Sequence, residues 1–150
     1  MNNLNRQLLF ASKQNYHIYI GERYTGKVDA HYHSFYHCTL LLKGDLAYFQ
    51  QDQMLRMQPG DLLFTPIYCN HSLYIFPPET SYFCLSFSQE MMDALVSCFP
   101  KLKKDFSNLP PIIHMPRHER ERLVHLLYCL MDEQNNASQA LYGTLNGRIS

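Results

Sequence analysis

The first 87 residues are written as short apolar runs divided by turn residues, a pattern that suits strands and leaves no room for long helices. "YHIYI" (16–20), "CTLLL" (38–42), "LAYFQ" (46–50), "LLFTPIY" (62–68), "SLYIF" (72–76) and "YFCLSF" (82–87) are rich in aromatic and aliphatic residues. Between them lie "KGD" (43–45), "QPGD" (58–61) and "PPE" (77–79), which supply Gly, Pro or Asp where the backbone must reverse. Short strands at close, even spacing predict a mainly β fold, an antiparallel sandwich or barrel.

The pattern changes at Ser88. Ser88 is a suitable N-cap for "QEMMDALVSCF", in which Met91, Met92, Leu95, Val96 and Phe99 recur with helical period until Pro100 stops them. "KLKKDFSNLPPIIHMP" reads as a connector. A second helix is predicted near 117–134, with Leu123, Leu126, Leu127, Leu130 and Met131 forming one stripe. After "NNAS" a third helix is expected, with Leu141, Leu145 and Ile149 in line. The expected organisation is thus a barrel over 1–87 and a helical segment over 88–150. That segment lacks a closing cap, so the natural chain is expected to continue.

Composition limits the partners. The chain has 150 residues, 46% hydrophobic and 17% charged, which describes one folded globular domain. Thirteen basic residues balance thirteen acidic ones, whereas a phosphate backbone calls for a concentrated basic face. DNA contact is therefore not expected from these residues. Cys38, Cys69, Cys84, Cys98 and Cys129 are odd in number and widely spaced, as reduced core cysteines are. "MNNLNRQLLF" lacks the apolar run of a leader, and no window approaches a membrane span, so a cytoplasmic setting is expected.

One phrase stands apart from the strand pattern. "HYHSFYH" (31–37) carries three histidines, and a fourth, His71, closes "PGDLLFTPIYCNH". Gly26 precedes the first phrase by four residues, Gly44 follows His37 by six, and Pro59-Gly60-Asp61 opens the second. These two phrases resemble those of the cupin superfamily: a Gly, H-x-H, a Glu, a Gly, then a P-G-D turn, a strand and a final His. Two departures stand out, since one spacer is a residue short and His37 occupies the Glu position. With the helices that follow, the chain resembles the N-terminal sensor domain of AraC-type transcriptional regulators. The resemblance implies a cupin-like, jelly-roll-type antiparallel β-barrel followed by two or three helices. It also implies a small effector, often a sugar, in the barrel, a homodimer through the helices, and DNA binding by a separate C-terminal domain.

The resemblance matches His31 and His33 to the first two cupin metal ligands and His71 to the last, with His37 in the carboxylate's place. His31 and His33, two apart on a strand, would share a face. Four imidazoles suit a divalent ion, zinc or nickel foremost, and would release it below about pH 6 as they protonate. A pocket lined by histidines without metal is the other reading. His17, His114, His118 and His125 fall outside the pattern. If "KGD" makes a two-residue hairpin, 37, 39 and 41 share a face with 46, 48 and 50. Thr39, Tyr48 and Gln50 would then join the ligand site, although Tyr48 is equally suited to plain core packing. The alternative function is a small metal-dependent cupin enzyme, an isomerase or dioxygenase.

Overall fold

The computed structural model describes residues 16–23 and 25–145, with side chains through residue 137. Eight strands come first: β1 (Tyr16–Arg23), β2 (Gly26–His31), β3 (Tyr36–Lys43), β4 (Leu46–Gln50), β5 (Gln53–Met57), β6 (Asp61–Thr65), β7 (His71–Ile75) and β8 (Thr80–Phe87). Helices α1 (Gln89–Cys98) and α2 (Leu102–Ser107), strand β9 (Ile112–His114) and helix α3 (Arg117–Leu145) follow. All pairings are antiparallel, in two sheets ordered β1-β8-β3-β6-β9 and β2-β7-β4-β5. The sheets face one another as an open jelly roll, the expected cupin-like architecture.

Burial explains the runs. Leu41 and Leu63 of the larger sheet meet Leu46, Tyr48, Met57 and Ile75 of the smaller one, filling the space between the sheets. The larger sheet is covered on its other face too. Ile18, Leu40 and Phe83 lie under Leu127 of α3, while Phe64 and Phe87 lie under Met92 of α1. Alternate residues of β3 therefore serve two cores, which is why "CTLLL" is continuously apolar.

Several expectations need correction. Strands β3 and β4 do not form a hairpin: β3 pairs with β6 and β8, and β4 with β5 and β7. "KGD" instead carries the chain from one sheet to the other. Gly44 makes the crossing at φ 100°, where a Cβ would meet the Glu79 carbonyl. The predicted inward face survives for a different reason, because residues 37, 39 and 41 and residues 46 and 48 face each other across the sandwich.

The helices also differ from expectation. Ser88 caps α1 as predicted, its hydroxyl accepting from Met91 N at 3.1 Å. The connector contains α2 and β9, and β9 pairs with β6, so the larger sheet gains a strand from the segment expected to be helical. "NNAS" does not end a helix, because α3 runs through it. The side chains of Leu141 and Leu145, and all of Ile149, lie outside the described residues. The leucine stripe packs on the sheet: Leu127 is buried, Leu123, Leu130 and Met131 join the same cluster, and Leu126 is 58% exposed. Gln134 fixes the helix by accepting from Ile18 N at 2.8 Å and donating to Ile18 O at 2.9 Å.

Candidate metal and ligand site

Strand pairing, rather than the H-x-H spacing alone, assembles the histidines. In the smaller sheet His31 and His71 are direct cross-strand partners, beyond an irregularity in β2 between Val28 and His31. Their rings stand 4.3 Å apart between centroids. His31 is the last residue of β2, so His33 does not share its strand face as expected and lies in the connection to β3. That connection is anchored where Tyr68 N donates to His33 O at 2.7 Å. The His33 ring is held by stacking on Phe35 at 5.0 Å, and stands 4.7 Å from His31 and 5.1 Å from His71.

The ligand nitrogens of His31, His33 and His71 lie within 4.8 Å of one another, close enough to hold one metal ion. Two backbone carbonyls set the tautomers. His31 Nδ1 lies 2.7 Å from Asp29 O, and His71 Nδ1 lies 2.8 Å from Cys69 O. A carbonyl oxygen only accepts, so both Nδ1 atoms carry hydrogen and both Nε2 lone pairs are left for a ligand. Burial lowers the pKa of all three rings, pushing His33 down to about 2 with the neighbouring imidazoles adding to the effect. Neutral imidazoles at neutral pH are what a divalent ion needs.

His37 stands beside this trio on the facing sheet. Its ring is 5.1 Å from that of His33, and its Nε2 is in hydrogen-bond contact with Cys84 Sγ. Burial pushes His37 down to about 3 and the Cys84 thiol up to about 12, so both are uncharged at neutral pH.

Between the sheets, His31, His37 and His71 border a cavity of about 360 Å³. Thr39 lines it as expected. Tyr48 is fully buried within the apolar core, its ring 5.7 Å from that of His71. Gln50 borders a different cavity, between the larger sheet and helices α1 and α2, and donates to Cys69 Sγ at 2.9 Å. Spacing did not single out Tyr19, Arg23, Thr65 or Tyr82, which also line the first cavity. Tyr19 and Tyr82 come from the paired strands β1 and β8, and Thr65 lies directly opposite His37. Their alternation is visible in sequence, but the neighbouring strand that brings them here is not.

Comparison with known proteins bears on the chain as a whole. A cupin-2 domain protein from Shewanella frigidimarina is 18% identical, with a TM-score of 0.44 over 47% of this chain and 69% of its own. KdgF from a Halomonas species is 14% identical, with a TM-score of 0.46 over 50% of this chain and 71% of its own. The DMSP lyase DddQ from Ruegeria pomeroyi is 17% identical, with a TM-score of 0.46 over 50% of this chain and 39% of its own. Comparison with curated proteins finds no match. The model of the AraC-like ligand binding domain matches residues 15–144. The chain belongs to the family of AraC-like ligand binding domains.

Proposed function

We propose that this domain is the sensor of a transcriptional regulator, binding a small polyhydroxylated effector between its sheets beside a divalent metal held by His31, His33 and His71. The observation that carries the reading is the trio of neutral imidazoles, two of them with Nε2 lone pairs fixed by backbone carbonyls and bordering the cavity between the sheets. Zinc and nickel suit an all-nitrogen donor set. A bound ion with three protein ligands keeps a position open, and it would supply a fixed positive charge to orient an oxygen of the effector. Thr39 and Thr65 offer hydroxyls that orient the same molecule by hydrogen bonds. His37 contributes as a neutral hydrogen-bonding wall, and Tyr48 and Gln50 support His71 and the loop at Cys69 from outside the cavity.

The regulator acts as a homodimer in this reading. The inner stripe of α3 is occupied by the sheet, so the contact is assigned to the outward face that carries Leu126 and Cys129. DNA contacts belong to another part of the protein, consistent with a net charge of +0. Five unpaired cysteines fit a reducing cytoplasm, and no described helix is long and apolar enough to cross a membrane. A metal-dependent cupin enzyme is the second reading, favoured by the same three-ligand site beside a cavity.

The test is calorimetric titration of zinc and nickel into metal-free protein, followed by a sugar panel. One ion per chain and a saturable sugar heat support the sensor. Turnover of a bound sugar would favour the enzyme, and no metal uptake would remove the metal centre from the account.

A further inference from the structure

The wall of the inter-sheet cavity has a charge pattern that narrows its ligand. Among the described residues no Asp or Glu lines it, and the exposed Arg23 lies at its solvent side. Glu79 pairs with Lys43 and Asp45 with Arg56, while Asp29, two residues before His31 on β2, is not among the lining residues. Glu22, the neighbour of Arg23 on β1, falls on the opposite face of the strand. Arg23 makes no ion pair among the described residues, and it lines the cavity together with His31 and Tyr19.

We propose that the effector is a small carboxylate of the sugar-acid or hydroxy-acid class, with the Arg23 guanidinium receiving its carboxylate. The hydroxyls of Thr39, Thr65, Tyr19 and Tyr82 then bond its alcohol groups. The inference rests on the reading that the effector binds between the sheets. A guanidinium matches a carboxylate with two parallel hydrogen bonds, each stronger than a neutral one. A neutral sugar would leave that charge without a counterion, and an acid-free wall places nothing in the way of an anion. An ion on the three histidines would act in the same direction. The size agrees: at about 30 Å³ per water-sized unit, roughly a dozen non-hydrogen atoms fill about 360 Å³.

The experiment compares gluconate with sorbitol, and glucuronate with glucose, by calorimetry at constant ionic strength. It uses resin-stripped and zinc-loaded protein, with Arg23→Gln and Arg23→Lys variants checked for unaltered thermal unfolding. At least one acid is expected to bind ten-fold or more tightly than its neutral counterpart. Arg23→Gln is expected to erase that preference, and Arg23→Lys to restore part of it. Equal or tighter binding of sorbitol or glucose would overturn the carboxylate assignment and leave the barrel reading standing. An acid preference that survives Arg23→Gln would place the anion at another site and overturn it too. Binding of none of the four would overturn both.

Discussion

A single histidine in this fold has its protonation state decided by where the chain buries it. His33 is 3% exposed, and burial holds its pKa near 2 against 6.5 for a free imidazole. As pH falls, the unfolded chain takes up this proton first. The contribution of His33 to stability is therefore whole above pH 6.5 and is lost progressively between 6.5 and about 2. At about 1.4 kcal/mol per pH unit, metal-free protein is expected to be about 2 kcal/mol less stable at pH 5 on account of His33 alone. Urea unfolding at pH 7.5 and pH 5 measures this, and His33→Gln is expected to reduce the dependence by that amount, the share of His31, His37 and His71 remaining. A midpoint that ignores pH would contradict the burial of a neutral ring. Gly21 makes a second point at this scale. A Cβ there would enter the ring of Tyr82, so Gly21→Val is expected to displace Tyr82 from the cavity and weaken effector binding several-fold. Calorimetry reads the loss, and unchanged affinity would show that Tyr82 does not touch the ligand. The three histidines of "HYHSFYH" are legible in sequence because their spacing is local, and His71 through its place after the P-G-D turn. That His37 would face Cys84 was not legible, because their contact spans two strands distant in the chain.

At the scale of elements, turn chemistry proved easier to read than partnership. "KGD" announces that the chain reverses, but the same residues serve a hairpin or a crossing between sheets. Strands β2 ("GKVDAH") and β5 ("QMLRM") escaped notice because they are polar and half-exposed, and β9 because it has three residues. "NNAS" resembles a helix boundary, yet Asn135 and Asn136 are exposed positions on a helix already anchored by Gln134 and Leu127. Unfavourable propensity there costs only tenths of a kcal/mol per residue, which anchoring overrides. Four residues of the leucine stripe share one face and pack on the sheet, and Leu126 is left outside. Leu127→Ala is expected to cost about 2–5 kcal/mol, and Leu126→Ala less than about 0.5 kcal/mol. Chemical denaturation separates the two, and equal costs would contradict the packing. Leu126→Glu is expected to give folded monomers if α3's outward face joins two chains, as read by ultracentrifugation. A dimer unaffected by it would move the interface elsewhere.

For the whole molecule, two sheets turned toward each other decide what the chain can bind. The sheets bring β2 and β7 histidines to one border of a cavity and β1, β3, β6 and β8 hydroxyls to another. Apolar runs bounded by turn residues mark six of the nine strands, and the parity of the histidines and Thr39 marks the inward face of β3. The order of strands within each sheet was not in the pattern, so Tyr19, Arg23, Thr65 and Tyr82 went unnoticed. Everything proposed for binding turns on His31, His33 and His71 forming one metal centre. The most direct measurement is metal content per chain by elemental analysis after dialysis against micromolar zinc, in the unaltered protein and in His31→Ala, His33→Ala and His71→Ala variants. One zinc per chain is expected, lost in each of the three variants and retained in His118→Ala. A zinc content near zero in the unaltered protein, or one that none of the three substitutions lowers, would contradict it.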